Sequence, residues 1–411
     1  MLSLKALKLK RSKAIKNQKI TYAALPREAY ISAKQHKGKP SIVMVNVGQN
    51  IEENGLIAIA DGAEGVNIHS SVPGEVVAIS PQIKGNELIT SIKIETGGNF
   101  VKHKKRENDL SSLDNKTLLA ELKRLGVVDT ITALPLHLKL NVSSVNKLVI
   151  NLLEPDPYCF NGQFLLNEYL DELIKAIKIV TQLILTEQVI ICTTKANLNK
   201  AIKIKELVEG HGELCVFNDS YLAANERLLK EKFGQSSLIL HVTTLFTLYN
   251  ALVYGEAHNR QLVSVGGAAL TENAVMMVAI GTPLTFLFDE CGGFKRKAAR
   301  LVVGGAMSGY VAVTKEAAVT KDIHTVLALT AAEAAVRPTG ECCHCYKCVA
   351  NCPKKLIPYE MYKGITAGRL DLVNKMFLSE CVSCGLCSYL CPARFDMAAA
   401  FKLATKLTRT N

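Results

Sequence analysis

The sequence predicts a multidomain α+β chain: an all-β start, an α/β middle, a small glycine-punctuated α+β unit and a helical, cysteine-rich end. Three observations predict it. The 411 residues are too many for one ordinary core and suggest roughly three domains. The apolar pattern changes from short strand-like runs to alternating helical and strand-like runs after residue 115. Nine of the 13 cysteines fall between Cys342 and Cys391.

Composition limits the function classes. With 48% hydrophobic and 21% charged residues the chain reads as globular, and no run approaches the ~18 consecutive apolar residues of a membrane-spanning helix. Met1 to Ile20 carries seven Lys/Arg and no acid but lacks the apolar run of a secretory signal, so it reads as a solvated basic segment. Without an export signal, so many cysteines point to a reducing compartment in which thiols act as ligands rather than staples. The net charge of +12 favours acidic partners. Nucleic acid is not expected among them, since tryptophan is absent and no aromatic stacking motif interleaves the basic runs.

Residues 30–100 read as β, with Val/Ile-rich runs such as Ser41 to Val45 and Ser91 to Ile94 set between Gly, Pro and Asn. The stretch Val47 to Gly55, followed by Ser71-Val-Pro-Gly-Glu75, resembles the two halves of a biotinyl/lipoyl-type barrel sandwich. Such carriers need a lysine at the hairpin tip, and none occurs from Gly55 to Gly74. A structural relative with no swinging cofactor is expected.

A basic linker, Lys102 to Arg106, leads into a helix-strand alternation that argues for a parallel sheet. Its strand candidates are Lys147 to Asn151, Val189 to Cys192 and Ser237 to Leu240, with one helix predicted over Leu165 to Leu185. Residues 246–330 are punctuated by Val265-Gly-Gly267, Ile280-Gly-Thr-Pro283 and Val303 to Gly309, which suggests a small α+β unit. Beyond Ala331, helices are expected over Asp371 to Ser379 and Ala398 to Leu407. The expected boundaries are 1–106, 107–245, 246–330 and 331–411.

The cysteines at the end carry the chemistry. Cys342-x-x-Cys345-x-x-Cys348-x-x-x-Cys352-Pro353 and Cys381-x-x-Cys384-x-x-Cys387-x-x-x-Cys391-Pro392 each have the run of two-cluster bacterial ferredoxins. Three thiolates from one tight loop reach one cubane, and the fourth cysteine ligates the other cluster. Hence Cys342, Cys345, Cys348 and Cys391 are expected to hold one [4Fe-4S] cluster, and Cys381, Cys384, Cys387 and Cys352 the second. Structural zinc sites, which use paired C-x-x-C knuckles, are the competing reading. Cys343 breaks the period. Cys159, Cys192, Cys215 and Cys291 stand at no ligand spacing and read as buried structural residues, and His69, His137 and His344 as packed or surface residues.

The order of parts resembles the RnfC family, the peripheral subunits of the Rnf ion-translocating ferredoxin:NAD oxidoreductase, and the related cobalamin reductase of propanediol utilisation. Besides the cysteines, the resemblance rests on Asn151-Leu-Leu-Glu154-Pro-Asp-Pro-Tyr158, on Ile280-Gly-Thr-Pro283 and on Gly304-Gly-Ala-Met-Ser-Gly309. It implies a barrel-sandwich N-terminal domain, an α/β nucleotide-type domain, a β-grasp-like domain and a C-terminal α-helical two-cluster ferredoxin module.

Where the family carries a glycine-rich loop, this chain reads Gly126-Val-Val-Asp129 through Lys139-Leu140, without the inner glycines. Those glycines let backbone N–H groups approach a phosphate, and Asp129 adds a negative charge where that phosphate would sit. Tyr221 to Leu229 likewise lacks the proline and glycine of a second family stretch. The degenerate site residues are Gly126, Asp129, Lys139 and Glu154, and neither FMN nor NAD is expected on them. The resemblance implies an electron-transfer subunit of a membrane redox complex, peripheral on the cytoplasmic face of the inner membrane. It would be fed by an acidic carrier such as ferredoxin or flavodoxin and would have no transmembrane helix of its own. An NADH-oxidising flavoprotein subunit or a corrinoid reductase is the alternative.

Overall fold

The computed structural model describes residues 15, 19–84, 87–98, 107–110, 113–208, 212–218, 221–312, 314, 317–334 and 339–409. Most of the basic N-terminal segment and the 102–106 linker lie outside them.

The N-terminal unit is barrel-like. Glu28–Ser32, Glu87–Thr96, Gly74–Lys84 and Asn50–Ile51 form one sheet in that order, and Ile42–Val43, Leu56–Ile59 and Ile68–His69 form a second. Alternate residues of these strands point inward, so Ala29, Ile31, Ile57, Ile68, Val76, Ile92 and Ile94 meet in one core. Of the run expected over residues 41–45, only Ile42–Val43 pairs as strand.

The middle unit is a parallel four-stranded sheet, ordered Gly212–Phe217, Leu185–Thr194, Ser144–Asn151, Leu238–His241. Its inner strands are apolar on both faces, as strands covered on both sides must be. Leu148, Ile150, Val189, Ile191 and Leu240 pack on one side, under Leu170–Leu183 and Val242–Tyr254. Val149, Ile190, Cys192 and Ile239 pack on the other, against Ala223, Ala224 and Leu229.

The single helix expected over residues 165–185 is two, Asn161–Glu168 and Leu170–Leu183. Tyr169 breaks them at φ −129°, ψ 34°, and its ring packs 4.9 Å from that of Phe246. The second helix stops at Leu183 because the strand begins at Leu185.

The third unit is a six-stranded mixed sheet ordered Thr21–Tyr22, Ala274–Ala279, Arg260–Gly266, Thr325–Leu329, Arg300–Val303, Tyr310–Val311. Its edge strand comes from the start of the chain, with Thr21 opposite Met276. The helix Val242–Tyr254 spans the boundary expected at 245/246 and belongs with the middle core, to which Leu245, Leu248, Tyr249 and Leu252 contribute.

The C-terminal unit is helical among its described residues: Lys347–Ala350, Pro358–Thr366, Leu370–Lys375, Leu386–Tyr389 and Met397–Arg409. Leu356, Met361, Val373, Leu378, Met397, Phe401 and Ala404 make its core. The helix expected over residues 371–379 ends at Lys375, because Phe377 turns left-handed at φ 62° ahead of a short 3-10 turn.

Candidate functional site

The parallel sheet creates a topological switch point between Ser144–Asn151 and Leu238–His241, where chains of this kind bind nucleotides beyond the strand C-termini. The helix Val242–Tyr254 starts there, and a helix N-terminus attracts phosphate through its free N–H groups. Here His241 caps it, its Nδ1 accepting from the Thr243 N–H at 3.3 Å while Nε2 donates to the Leu153 carbonyl at 2.9 Å. Burial holds His241 down to about 4, so the ring is neutral and can accept. Thr130 lies across the same point, its N–H donating to Thr244 Oγ1 at 3.1 Å and its hydroxyl 2.7 Å from that of Thr243.

The loop that follows Gly126 uses its donors internally. Asp129 is buried, and its Oδ1 accepts from the N–H groups of Ile131 at 3.0 Å and Thr132 at 2.8 Å. Lys139 Nζ lies 2.7 Å from Asp129 Oδ2 and 2.8 Å from Glu226 Oε2. Burial alone would push the Asp129 carboxyl up. The Lys139 ammonium and the two N–H groups outweigh it and hold the carboxyl below its ordinary value. Lys139 is in turn held above its ordinary value, burial being outweighed by Asp129 and Glu226.

A buried carboxylate thus receives two backbone donors of this loop and its lysine. Gly126 is left-handed at φ 71°, and its carbonyl accepts from Lys321 Nζ at 2.6 Å. Glu154 supports a helix instead, its Oε1 accepting from the Gln163 N–H at 2.8 Å at the start of Asn161–Glu168.

The segment 151–158 reaches the C-terminal module through one intermediate. Asp156 is buried and accepts from the N–H groups of Met307 at 3.0 Å and Tyr158 at 3.1 Å. It thereby holds the turn 304–309, where a Cβ on Gly305 would stand 2.5 Å from Asp156 Oδ2. The Met307 carbonyl backs onto Gly385, within the second cysteine run.

The two cysteine runs share one backbone conformation. Left-handed residues flank the middle cysteine of each loop, His344 and Tyr346 about Cys345, Ser383 and Gly385 about Cys384. A further one lies three residues past each fourth cysteine, at Lys355 and Arg394. Such turns aim successive N–H groups inward. The Leu356 N–H donates to Cys352 Sγ at 3.4 Å, and backbone N–H groups of Lys347, Ser383 and Leu386 bond the sulfurs of Cys345, Cys381 and Cys384.

Cys342, Cys345, Cys348 and Cys391 line a single cavity together with Tyr359, Phe395 and Met397, so the fourth cysteine of the second run joins three from the first. Cys343 lines it too. Cys352, from the first run, faces Cys381, Cys384 and Cys387, whose thiols burial raises, the last two to about 11 and about 12. Among the described residues, no group of three or more His, Cys, Asp or Glu converges on a point suited to one metal ion. Thiols ringing a space, with N–H donors to sulfur and apolar walls, fit iron–sulfur clusters.

The module docks by its second loop. Arg227 donates to the carbonyls of Cys381 at 3.0 Å and Ser379 at 2.9 Å, and Asn225 Nδ2 donates to that of Val382 at 3.3 Å. Leu222 and Leu228 pack on Val382 and Leu386. The first loop faces outward, with Cys345, Tyr346 and Lys347 exposed.

Sequence reasoning missed Glu226, Arg227 and His241. Asn225 followed by Glu226 was the available signal, since Asn caps the helix Glu226–Phe233 by accepting from the N–H groups of Arg227 and Leu228.

Three family models match the chain in order: the RnfC barrel sandwich hybrid domain over residues 5–99, the Nuo51 FMN-binding domain over 122–237 and the 4Fe-4S dicluster domain over 341–396. The chain is 28% identical over 378 residues to the C subunit of the ion-translocating oxidoreductase complex of Rhodobacter capsulatus, covering 86% of this chain and 73% of the relative. To the C subunit of the proton-translocating ferredoxin:NAD(+) oxidoreductase complex of Clostridium ljungdahlii it is 26% identical, over 83% of this chain and 79% of the relative. The corresponding values for the C subunit of the Na(+)-translocating ferredoxin:NAD(+) oxidoreductase complex of Acetobacterium woodii are 24%, 81% and 80%. The shared order of domains and these relatives, each matched over most of its length, support an RnfC identity for the chain.

Proposed function

We propose that this chain is the electron-transfer subunit of an Rnf-like ion-translocating redox complex, with two [4Fe-4S] clusters and neither FMN nor NADH of its own. The observation that carries this reading is the paired cysteine loops, four of whose thiols ring one cavity. Cys342, Cys345, Cys348 and Cys391 would hold one cluster, and Cys381, Cys384, Cys387 and Cys352 the other. When bound, such clusters take up and release single electrons, and the protein tunes them through N–H···S bonds and burial.

The closed Asp129–Lys139–Glu226 arrangement supports the absence of a bound flavin, because the donors for its phosphate are already taken. A second reading, a flavin-binding NADH oxidase subunit, is favoured by the match of residues 122–237 to an FMN-binding domain. Without a bound hydride acceptor the donor must supply electrons singly. An acidic carrier such as ferredoxin or flavodoxin suits the charge of +12. No helix among the described residues is long and apolar enough to cross a membrane. Attachment at the cytoplasmic face would then come from partner subunits.

The test is stopped-flow reduction of anaerobically reconstituted protein by NADH and by reduced flavodoxin, across a salt series and with added FMN. The expected outcome is fast, salt-sensitive reduction by the carrier, none by NADH, and unchanged FMN fluorescence. Rapid bleaching by NADH, or flavin bound in stoichiometric amount, would restore the second reading.

A further inference from the structure

Cys192 and Cys215 lie outside both cysteine loops, yet the fold sets them side by side. Leu185–Thr194 and Gly212–Phe217 are neighbouring parallel strands, and the register puts Cys192 directly opposite Cys215. Paired residues on adjacent strands share a face, so both side chains enter the layer formed with Ala223, Ala224, Leu229, Phe217 and Phe233. Adjacent strands lie about 4.8 Å apart, inside the range of about 4.4–6.8 Å over which two Cα atoms accept a disulfide. The two sulfurs are already in hydrogen-bond contact.

The two thiols differ in access. Cys192 is fully buried on an inner strand, whereas Cys215 is half-buried on the strand at the sheet's edge. Lys232 stands over this edge, its Nζ 5.7 Å from the ring of Phe217 and 5.6 Å from that of Phe233. The hydrogen bond from Cys192 draws the Cys215 thiol down to about 7, against burial and with help from Lys232. The same bond, and after it burial, push Cys192 up. One accessible, thiolate-prone sulfur beside a buried, protonated one is the arrangement of an attacking and a resolving cysteine.

We propose that Cys192 and Cys215 are a reversible dithiol–disulfide site, oxidised by a low-molecular-weight disulfide. The Cys215 thiolate attacks one sulfur of the reagent, forming a mixed disulfide and expelling one thiolate, which takes up the proton Cys215 had lost. Cys192 then attacks the Cys215 sulfur, and its proton leaves with the second thiol. Two protein thiols and one reagent disulfide give one protein disulfide and two reagent thiols. The bond ties the edge strand to its neighbour beneath the helix Glu226–Phe233, whose Arg227 holds the second cysteine loop. It therefore stiffens the support on which the C-terminal module rests.

The experiment uses reconstituted holoprotein carrying Cys343→Ser, which removes the exposed spare thiol of the C-terminal module. Oxidised glutathione at pH 7.5 should consume two thiols per chain and leave a peptide linked through Cys192 and Cys215. The iron–sulfur absorbance should stay unchanged, and dithiothreitol should restore both thiols. In Cys192→Ala, one glutathione should accumulate on Cys215; in Cys215→Ala, Cys192 should stay unmodified. The proposal is overturned if the linked peptide is absent while both variants retain native circular dichroism, or if Cys192→Ala gathers no adduct at Cys215.

Discussion

Asp129 shows how one buried residue can organise a loop. Its carboxylate takes the Ile131 and Thr132 N–H groups and faces Lys139. We predict that Asp129→Asn lowers stability by about 3 kcal/mol, since removing one member of a buried pair strands the other. Urea denaturation would measure it, and a loss under about 1 kcal/mol would show that the pair is not the loop's support. The pH dependence has a definite sign. The folded carboxyl titrates below its unfolded value of about 3.9, so its stabilisation is complete above that value and is lost as pH falls through the folded one. Asp129→Asn should lack this acid-dependent part.

At the scale of the element, the two cysteine loops repeat one conformation but differ in what they meet. Gly385 is left-handed at φ 73°, and a Cβ there would stand 2.0 Å from the Met307 carbonyl oxygen. Alanine cannot be accommodated without pushing the loop off the 304–309 turn. Gly385→Ala should therefore reduce iron from about eight to about four atoms per chain, the share of one cubane of two. Gly368, also left-handed at φ 71° but with nothing within 4 Å, is the control. Its alanine variant carries only the conformational cost, about 1 kcal/mol, and should keep the full complement. Equal iron in the two variants, by colorimetric assay, would dismiss the contact as unimportant.

Across the whole molecule, Lys321 joins three units. Its N–H donates to Gln35 of the barrel at 3.1 Å and its ammonium to the Gly126 carbonyl of the α/β unit, while the residue itself precedes the strand Thr325–Leu329. Burial holds this amine down to about 7, and its charge, after burial, also lowers the nearby His36, His69 and His258. Because the folded value lies below the unfolded one of about 10.4, the unfolded chain binds more protons between the two. Stability should then rise with pH from about 7 to about 10, by up to about 1.4 kcal/mol per unit, and the handicap of the buried charge is fully present below pH 7. Lys321→Met should remove this slope. Denaturation series at pH 7, 8.5 and 10 would compare the two, and parallel slopes would place the titration elsewhere.

What could be read along the chain was what depends on neighbours in sequence. Each cysteine run lies within eleven residues, so its spacing alone announces the clusters, and the buried parallel strands appear as continuous apolar runs because both their faces are covered. The missing glycines of the 126–140 loop were legible for the same reason. Pairings across long stretches of chain were not. Glu226 meets Lys139 from 87 residues away, Asp156 holds Met307 across 151, and Thr21 completes a sheet with Met276. Cys192 and Cys215 have no ligand spacing in sequence, and only the strand register makes them partners. Residue types and local periodicity carry short-range propensity. Register, burial and the meeting of distant charges follow from packing, which no window of sequence contains.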